Sequence, residues 1–304
     1  MTLPLSMLVG AALLAVFGPA LLGGLERSRV PPAFVLMCWW TTIAGVVTTV
    51  VASLGLLLLP DHAGQSGIGR LTDLCVAALA HARNAWTETV LSAIVAVGLL
   101  IVILRSVVAT RRASRRRRLL DDHLRLLTLI GQREDGVLWI PHPRPLAFSV
   151  SGRRALIVAS SALVEQLPPG AVAAVLAHER AHLRGRHHLQ VAVAEALGAA
   201  LPVVPLFGRA PTAVRRLVEF TADASAAHRH GSEKLSNALR VLAGSTSPPG
   251  TLAASGDDAQ QRLARLDEMA TQSSAHTWPA LAVAFLPAWA AIIIPAGIAT
   301  IACA

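Results

Sequence analysis

Two histidines one helical turn apart flank a glutamate in the run Val175-Leu176-Ala177-His178-Glu179-Arg180-Ala181-His182. On a helix, residues i and i+4 share a face. Both imidazoles can then reach a single Zn²⁺ at about 2.0–2.1 Å. Glu179 stands beside them and can take a proton from water held there. A zinc centre that does chemistry needs a third protein ligand and an open position. Glu219-Phe220-Thr221-Ala222-Asp223 supplies candidates at the same spacing. Glu219 is the expected third ligand. Asp223, one turn on, is expected to accept a hydrogen bond from the far nitrogen of a ligand histidine and so fix its tautomer. One zinc per chain follows. Hydrolytic chemistry at such a centre also wants an oxyanion donor. The chain has no tyrosine, which leaves His228, Arg229, His230 and Arg262 as candidates. His187 and His188 fall at the expected end of the zinc helix, where a histidine interacts favourably with the helix dipole. The remaining histidines carry no spacing signal.

Positioning these residues requires a helix through the first motif. Pro168, Pro169 and Gly170 suit its first turn, and the pattern carries it to about His188. Upstream, residues 119 to 130 are apolar at helical spacing. Val137 to Ile140, Leu146 to Val150 and Ala155 to Ala159 read as short strands, with a turn at Ser151 and Gly152. Residues 189 to 207 are strongly apolar and interrupted by Pro202 and Pro205, which suits a hairpin that packs on a core or dips into a membrane. Helices are expected at about 211 to 229, 232 to 243 and 258 to 271. The domain is therefore α+β.

Composition says what surrounds it. Hydrophobic residues make up 54% of the 304, and charged residues only 15%, which is too apolar for an ordinary soluble domain. About four transmembrane helices are expected, at 3–23, 33–59, 87–109 and 278–302. Trp86 and Trp278 suit the membrane interfaces. Arg27 and Arg29 follow the first span. A dense group, Arg111, Arg112 and Arg115 to Arg118, follows the third. Such flanks belong on the cytoplasmic side, near anionic lipid. The net charge of +9 is thus read as membrane-flanking; no base-reading motif accompanies it, and direct nucleic-acid binding is not expected. Three domains follow: a membrane domain at 1–110, a cytoplasmic zinc domain at 111–277, and a fourth span at 278–304. Both termini lie outside the cytoplasm, with Cys75 and Cys303 on the same oxidising side. Cys38, in an apolar run, reads as a packed thiol.

The His-Glu-x-x-His and Glu-x-x-x-Asp pair resembles the gluzincin metallopeptidases. The stretch from Pro145 through Ala147-Phe148 and Ile157-Val158-Ala159 to the zinc motif narrows this, as does Gln261-Arg262-Leu263-Ala264-Arg265-Leu266. These segments resemble the BlaR/MecR antirepressor family of membrane peptidases and the related HtpX and CAAX-prenyl protease family. Three spans, a cytoplasmic domain and a fourth span look more like BlaR/MecR. The resemblance implies a gluzincin-like domain, a zinc-dependent metalloendopeptidase, and a protein substrate that is a cytoplasmic transcriptional repressor or the chain itself. A membrane-protein quality-control protease and a non-catalytic zinc-containing signal transducer are the alternatives. No penicillin-binding sensor follows the fourth expected span, so direct β-lactam sensing is not expected. His187 also stands where that pattern has an acidic residue.

Overall fold

A computed structural model describes residues 2–28, 30–58, 104–109, 131–151, 155–243 and 256–271, with single positions at 98, 101, 111, 115 and 128. The third and fourth expected spans, the 119–130 segment and the arginine cluster fall largely or wholly outside these residues, as do Cys75, Cys303, Trp86 and Trp278.

Two long apolar helices open the chain. Helix α1 spans Thr2–Arg27 and α2 spans Pro32–Leu58. Their segments Ser6–Arg27 and Pro32–Leu54 are long and apolar enough to cross a membrane. Pro31 and Pro32 separate them, and Pro32 occupies the first helical position, where its missing N–H costs nothing. Val9, Leu13, Val16, Phe17 and Leu21 of α1 are exposed, as a lipid-facing stripe would be. The opposite face packs into a core with α2, where Val35, Cys38 and Trp39 are buried; the Cys38 thiol is packed as its apolar run implied.

A four-stranded sheet follows: β1 (Gln132–Glu134), β2 (Val137–Ile140), β3 (Ala147–Val150) and β4 (Leu156–Ser160), in the order β1-β2-β4-β3. Three strands were expected to within a residue. The exposed strand β1 was not. It pairs antiparallel with β2 across Asp135 and Gly136, both at positive φ (48° and 76°). An Asp-Gly pair at positive φ is the favoured two-residue hairpin turn. Strand β2 runs parallel to β4, and β3 pairs antiparallel with β4 at the sheet edge. Alternation divides the faces. Val137, Ile157 and Ala159 face the zinc helix, while Leu138, Ile140, Leu156 and Val158 pack on the other side.

The short helix α3 (Ser161–Gln166) leads to α4 (Pro169–Arg184), which carries the first motif. Helix α4 stops four residues earlier than the sequence pattern suggests. Gly185 follows it, and Arg186 adopts the left-handed region at φ 48°. A new helix, α5, then runs from His187 to Ala200. The apolar stretch 189–207 is thus most of α5, a turn, and the start of α6 (Pro205–His230). Helix α6 begins six residues before the expected 211, because Pro205 serves as a helix-starting proline and Pro211 is tolerated inside it. Proline at 211 removes the bond to the Phe207 carbonyl. Helix α5 closes on that point: a Cβ at Gly198 would lie 2.7 Å from Pro211 Cγ and 3.0 Å from the Phe207 carbonyl oxygen, so only glycine permits the approach. Helices α7 (Ser232–Ala243) and α8 (Gly256–Thr271) complete the described residues.

The membrane-type hairpin is fastened to the helix that bears the second motif. One core joins α1 and α2 to Val191 and Ala194 of α5 and to Val214, Leu217 and Val218 of α6. Within it Glu26 accepts a hydrogen bond from Trp39 Nε1 at 2.9 Å and pairs with Arg216. Glu26→Ala would strand the indole N–H of Trp39, which is 2% exposed. A buried donor left without a partner costs about 1–3 kcal/mol. The expected result is a lower thermal midpoint in detergent. Glu26→Gln, which still offers an oxygen to Trp39, should recover part of it.

Candidate metal centre

Helices α4 and α6 meet through small residues. Ala174 and Ala177 of α4 pack against Ala226 and Ala227 of α6. Side chains of one carbon let two helix axes approach closely, so polar groups on the facing stripes come within reach of each other. That approach brings His178 and His182 opposite Glu219 and Asp223.

The inward atoms converge. His178 Nε2 lies 3.0 Å from His182 Nε2. Glu219 Oε2 lies 3.5 Å from His178 Nε2, and Oε1 lies 3.4 Å from His182 Nε2. One ligand atom from each of these three residues falls within 4.8 Å of the others. Two imidazole nitrogens and a carboxylate oxygen are a donor set suited to zinc. Glu219 Oε1 is buried and has no hydrogen-bond donor among the described residues. A cation between the three would satisfy it. The donor set therefore fits the metal.

The outward atoms are held as well. His178 Nδ1 is 2.9 Å from Asp223 Oδ1. Arg262 of α8 donates from Nε to Asp223 Oδ2 at 2.7 Å and from Nη2 to Oδ1 at 2.6 Å. Its Nη1 lies 3.1 Å from Glu219 Oε2. The sequence reading of Arg262 as an oxyanion donor gives way to another role: its nitrogens are turned to the two carboxylates that face the histidines. His187 is buried, not displayed at a helix end. Its Nδ1 lies 3.0 Å from His182 Nδ1. His188 Nε2 lies 3.2 Å from Ser149 Oγ on the edge strand β3. The dipole reading of both is corrected, because α4 ends before them and they open α5 instead. His228 and Arg229 are exposed and His230 half-buried in the last turn of α6. No described contact brings His228 or His230 to the histidine pair.

Electrostatics keep the two carboxylates of the centre ionised. Burial opposes ionisation of Glu219, but the facing rings of His178 and His182 and the Arg262 charge outweigh it and hold the carboxyl well below the usual range. Asp223 is likewise lowered, burial being overcome by Arg262 and then His178. Burial also disfavours a charged His178, yet Asp223 and Glu219 together raise it to about 10. The same two carboxylates hold Arg262 above its ordinary value against burial. His187 goes the other way. Burial, followed by neighbouring His182, lowers it to about 3, so it stays a neutral ring.

Comparison with known families gives the class. Residues 111–210, about a third of the chain, match Peptidase family M48. Among curated proteins none matches the chain. The M48 domain, with the His-His-Glu group it helps to build, makes this protein a zinc-dependent metallopeptidase, a hydrolase acting on proteins. The match contains His178, Glu179 and His182 and stops before Glu219, Asp223 and Arg262. It does not separate the BlaR/MecR and HtpX resemblances.

Proposed function

We propose that this chain is an integral membrane zinc metalloendopeptidase that cleaves a protein substrate on the cytoplasmic side, in regulatory signalling that removes a transcriptional repressor. The carrying observation is the convergence of His178, His182 and Glu219 within 4.8 Å, with Glu179 on the same helix. In this reading His178, His182 and Glu219 hold one zinc. When bound, zinc supplies a Lewis acid that polarises the scissile carbonyl and makes water more acidic.

The residues of the chain do the rest. Glu179, half-buried beside His178, accepts a proton from the attacking water as a new C–O bond forms. It delivers that proton to the leaving nitrogen as the C–N bond breaks. Asp223 orients His178 through Nδ1. Arg262 balances the charge of Asp223 and Glu219 and keeps both oriented toward the histidines. Strand β3 is an edge strand of the sheet among the described residues, and an extended substrate segment can align on it as a further strand.

The membrane reading rests on α1, α2 and the arginine cluster. Four spans, with both termini outside, place the 111–277 domain in the cytoplasm, with Arg111 to Arg118 near anionic lipid. A reporter fused near residue 115 should score as cytoplasmic and one near residue 65 as extracytoplasmic. An extracytoplasmic score at 115 would overturn the topology. Comparing proteomes of cells carrying the wild type and Glu179→Gln tests the role. A repressor that persists only in the variant supports regulatory cleavage. Accumulation of misfolded membrane proteins would instead favour quality control.

A further inference from the structure

We infer that His187 is the positioning residue of His182, holding the second histidine of the metal centre as Asp223 holds the first. The inference rests on the ligand set proposed above. His182 directs Nε2 toward His178 Nε2 and Glu219 Oε1, at 3.0 and 3.4 Å. With Nε2 used inward as a lone-pair donor, the ring proton belongs on Nδ1. That atom lies 3.0 Å from His187 Nδ1. Two ring nitrogens at this separation need one donor and one acceptor. His182 Nδ1–H therefore donates, and His187 Nδ1 accepts. The rings meet edge to face, with centroids 4.9 Å apart and planes at 90°. His187 is only 3% exposed, so water does not compete for the bond.

The chain is shaped to make this contact. In an unbroken helix a residue five positions on lies about 140° round the axis and about 7.5 Å along it. Residue 187 could not then back the ring of residue 182. The left-handed turn at Arg186 (φ 48°) ends α4 and folds residue 187 back beside it. A non-glycine residue in that region costs about 1–2 kcal/mol, which the surrounding structure must offset. Gly185 leaves the space the ring occupies: a Cβ there would lie 2.3 Å from His187 Nε2 and 2.5 Å from Cδ2. The same corner reaches the sheet, because His188 Nε2 lies 3.2 Å from Ser149 Oγ. The two metal histidines are thus backed differently. His178 faces a carboxylate. His182 faces the Nδ1 of another imidazole, which fixes its tautomer and angle without adding negative charge.

The test is the zinc dissociation constant of the full-length protein in detergent, read by competition with a chromogenic chelator. His187→Phe retains an aromatic ring and removes the acceptor; His187→Gln retains an acceptor oxygen. Losing such an outer partner typically weakens metal binding about 10- to 100-fold. His187→Phe should lose affinity in that range, and His187→Gln should recover most of it. Gly185→Ala, at a helical φ of −76° that alanine adopts readily, displaces the His187 ring without altering it. It should also weaken zinc binding, and it serves if the Phe variant does not fold. In the zinc-loaded protein the Nδ1 proton of His182 should be slow to exchange in wild type and fast in His187→Phe. Wild-type affinity in both His187→Phe and Gly185→Ala would overturn the inference. So would equal losses in the Phe and Gln variants, since packing alone would then explain them. His182→Ala separates the two levels of the argument: unchanged zinc binding there would remove the ligand set itself.

Discussion

Glu179→Gln is expected to bind zinc as the wild type does and to lose peptide hydrolysis. Gln has the size of Glu and the same preference for a helix, so α4 and its two histidines should stay in place. What it lacks is a basic oxygen. The attacking water then loses its proton acceptor, and the leaving nitrogen loses its proton donor. General acid–base catalysis contributes about 10²–10⁴-fold, equivalent to about 3–5 kcal/mol of barrier. One residue here serves both transfers, so the loss should lie toward the upper end. Glu179 also lies close enough to Arg262 to help keep its guanidinium charged, but Asp223 and Glu219 do most of that, so the variant should leave the carboxylate cluster intact. Turnover of a peptide substrate and zinc per chain, measured on the same preparation, check the expectation. Full activity would remove Glu179 from the mechanism. Lost activity with lost zinc would show that the substitution disturbed the centre instead of the proton transfers.

Glu219→Ala should empty the centre of zinc at concentrations that saturate the wild type. Three effects act together. The carboxylate that faces both histidines, at 3.5 and 3.4 Å, is gone. The buried Arg262 keeps its charge but loses the partner at 3.1 Å, leaving an under-compensated cation beside the place a second cation would occupy. The donor set also falls from three protein groups to two, fewer than zinc enzymes use. Loss of an outer partner alone weakens metal binding about 10- to 100-fold; loss of Glu219 should exceed that range. Glu219→Gln separates the effects, since it restores volume and a neutral oxygen but not the charge. It should fall between the alanine variant and the wild type. Zinc content after dialysis, with a competition titration for variants that retain some metal, gives the comparison. Unchanged stoichiometry in Glu219→Ala would strike it from the ligand set.

The sequence by itself determined the parts whose geometry is local. A spacing of four places His178 with His182, and Glu219 with Asp223, on one stripe of a helix wherever that helix lies. Hydropathy marked α2 and the start of α1 to within a residue and stopped four residues short of the end of α1, because a helix apolar on every side leaves a continuous apolar run. Short apolar runs bounded by turn residues marked the other three strands, β2, β3 and β4. The exposed strand β1 had no apolar pattern to reveal it, although Asp135-Gly136 ahead of Val137 was a hairpin signal within reach.

Tertiary structure alone decided what depends on chain reversal or on contacts distant in sequence. The zinc helix read as running on to about His188, since neither Gly185 nor Arg186 forbids a helix. Only the packed chain puts Arg186 in the left-handed region, and only that turn brings His187 to His182. Arg262 read as a candidate oxyanion donor until α8 settled on α6 and turned it to Asp223 and Glu219. Glu26 lies past the first expected span; in the fold it pairs with Arg216, one turn before Glu219. Each of these roles is made by packing between segments whose separation in sequence carries no spacing to read.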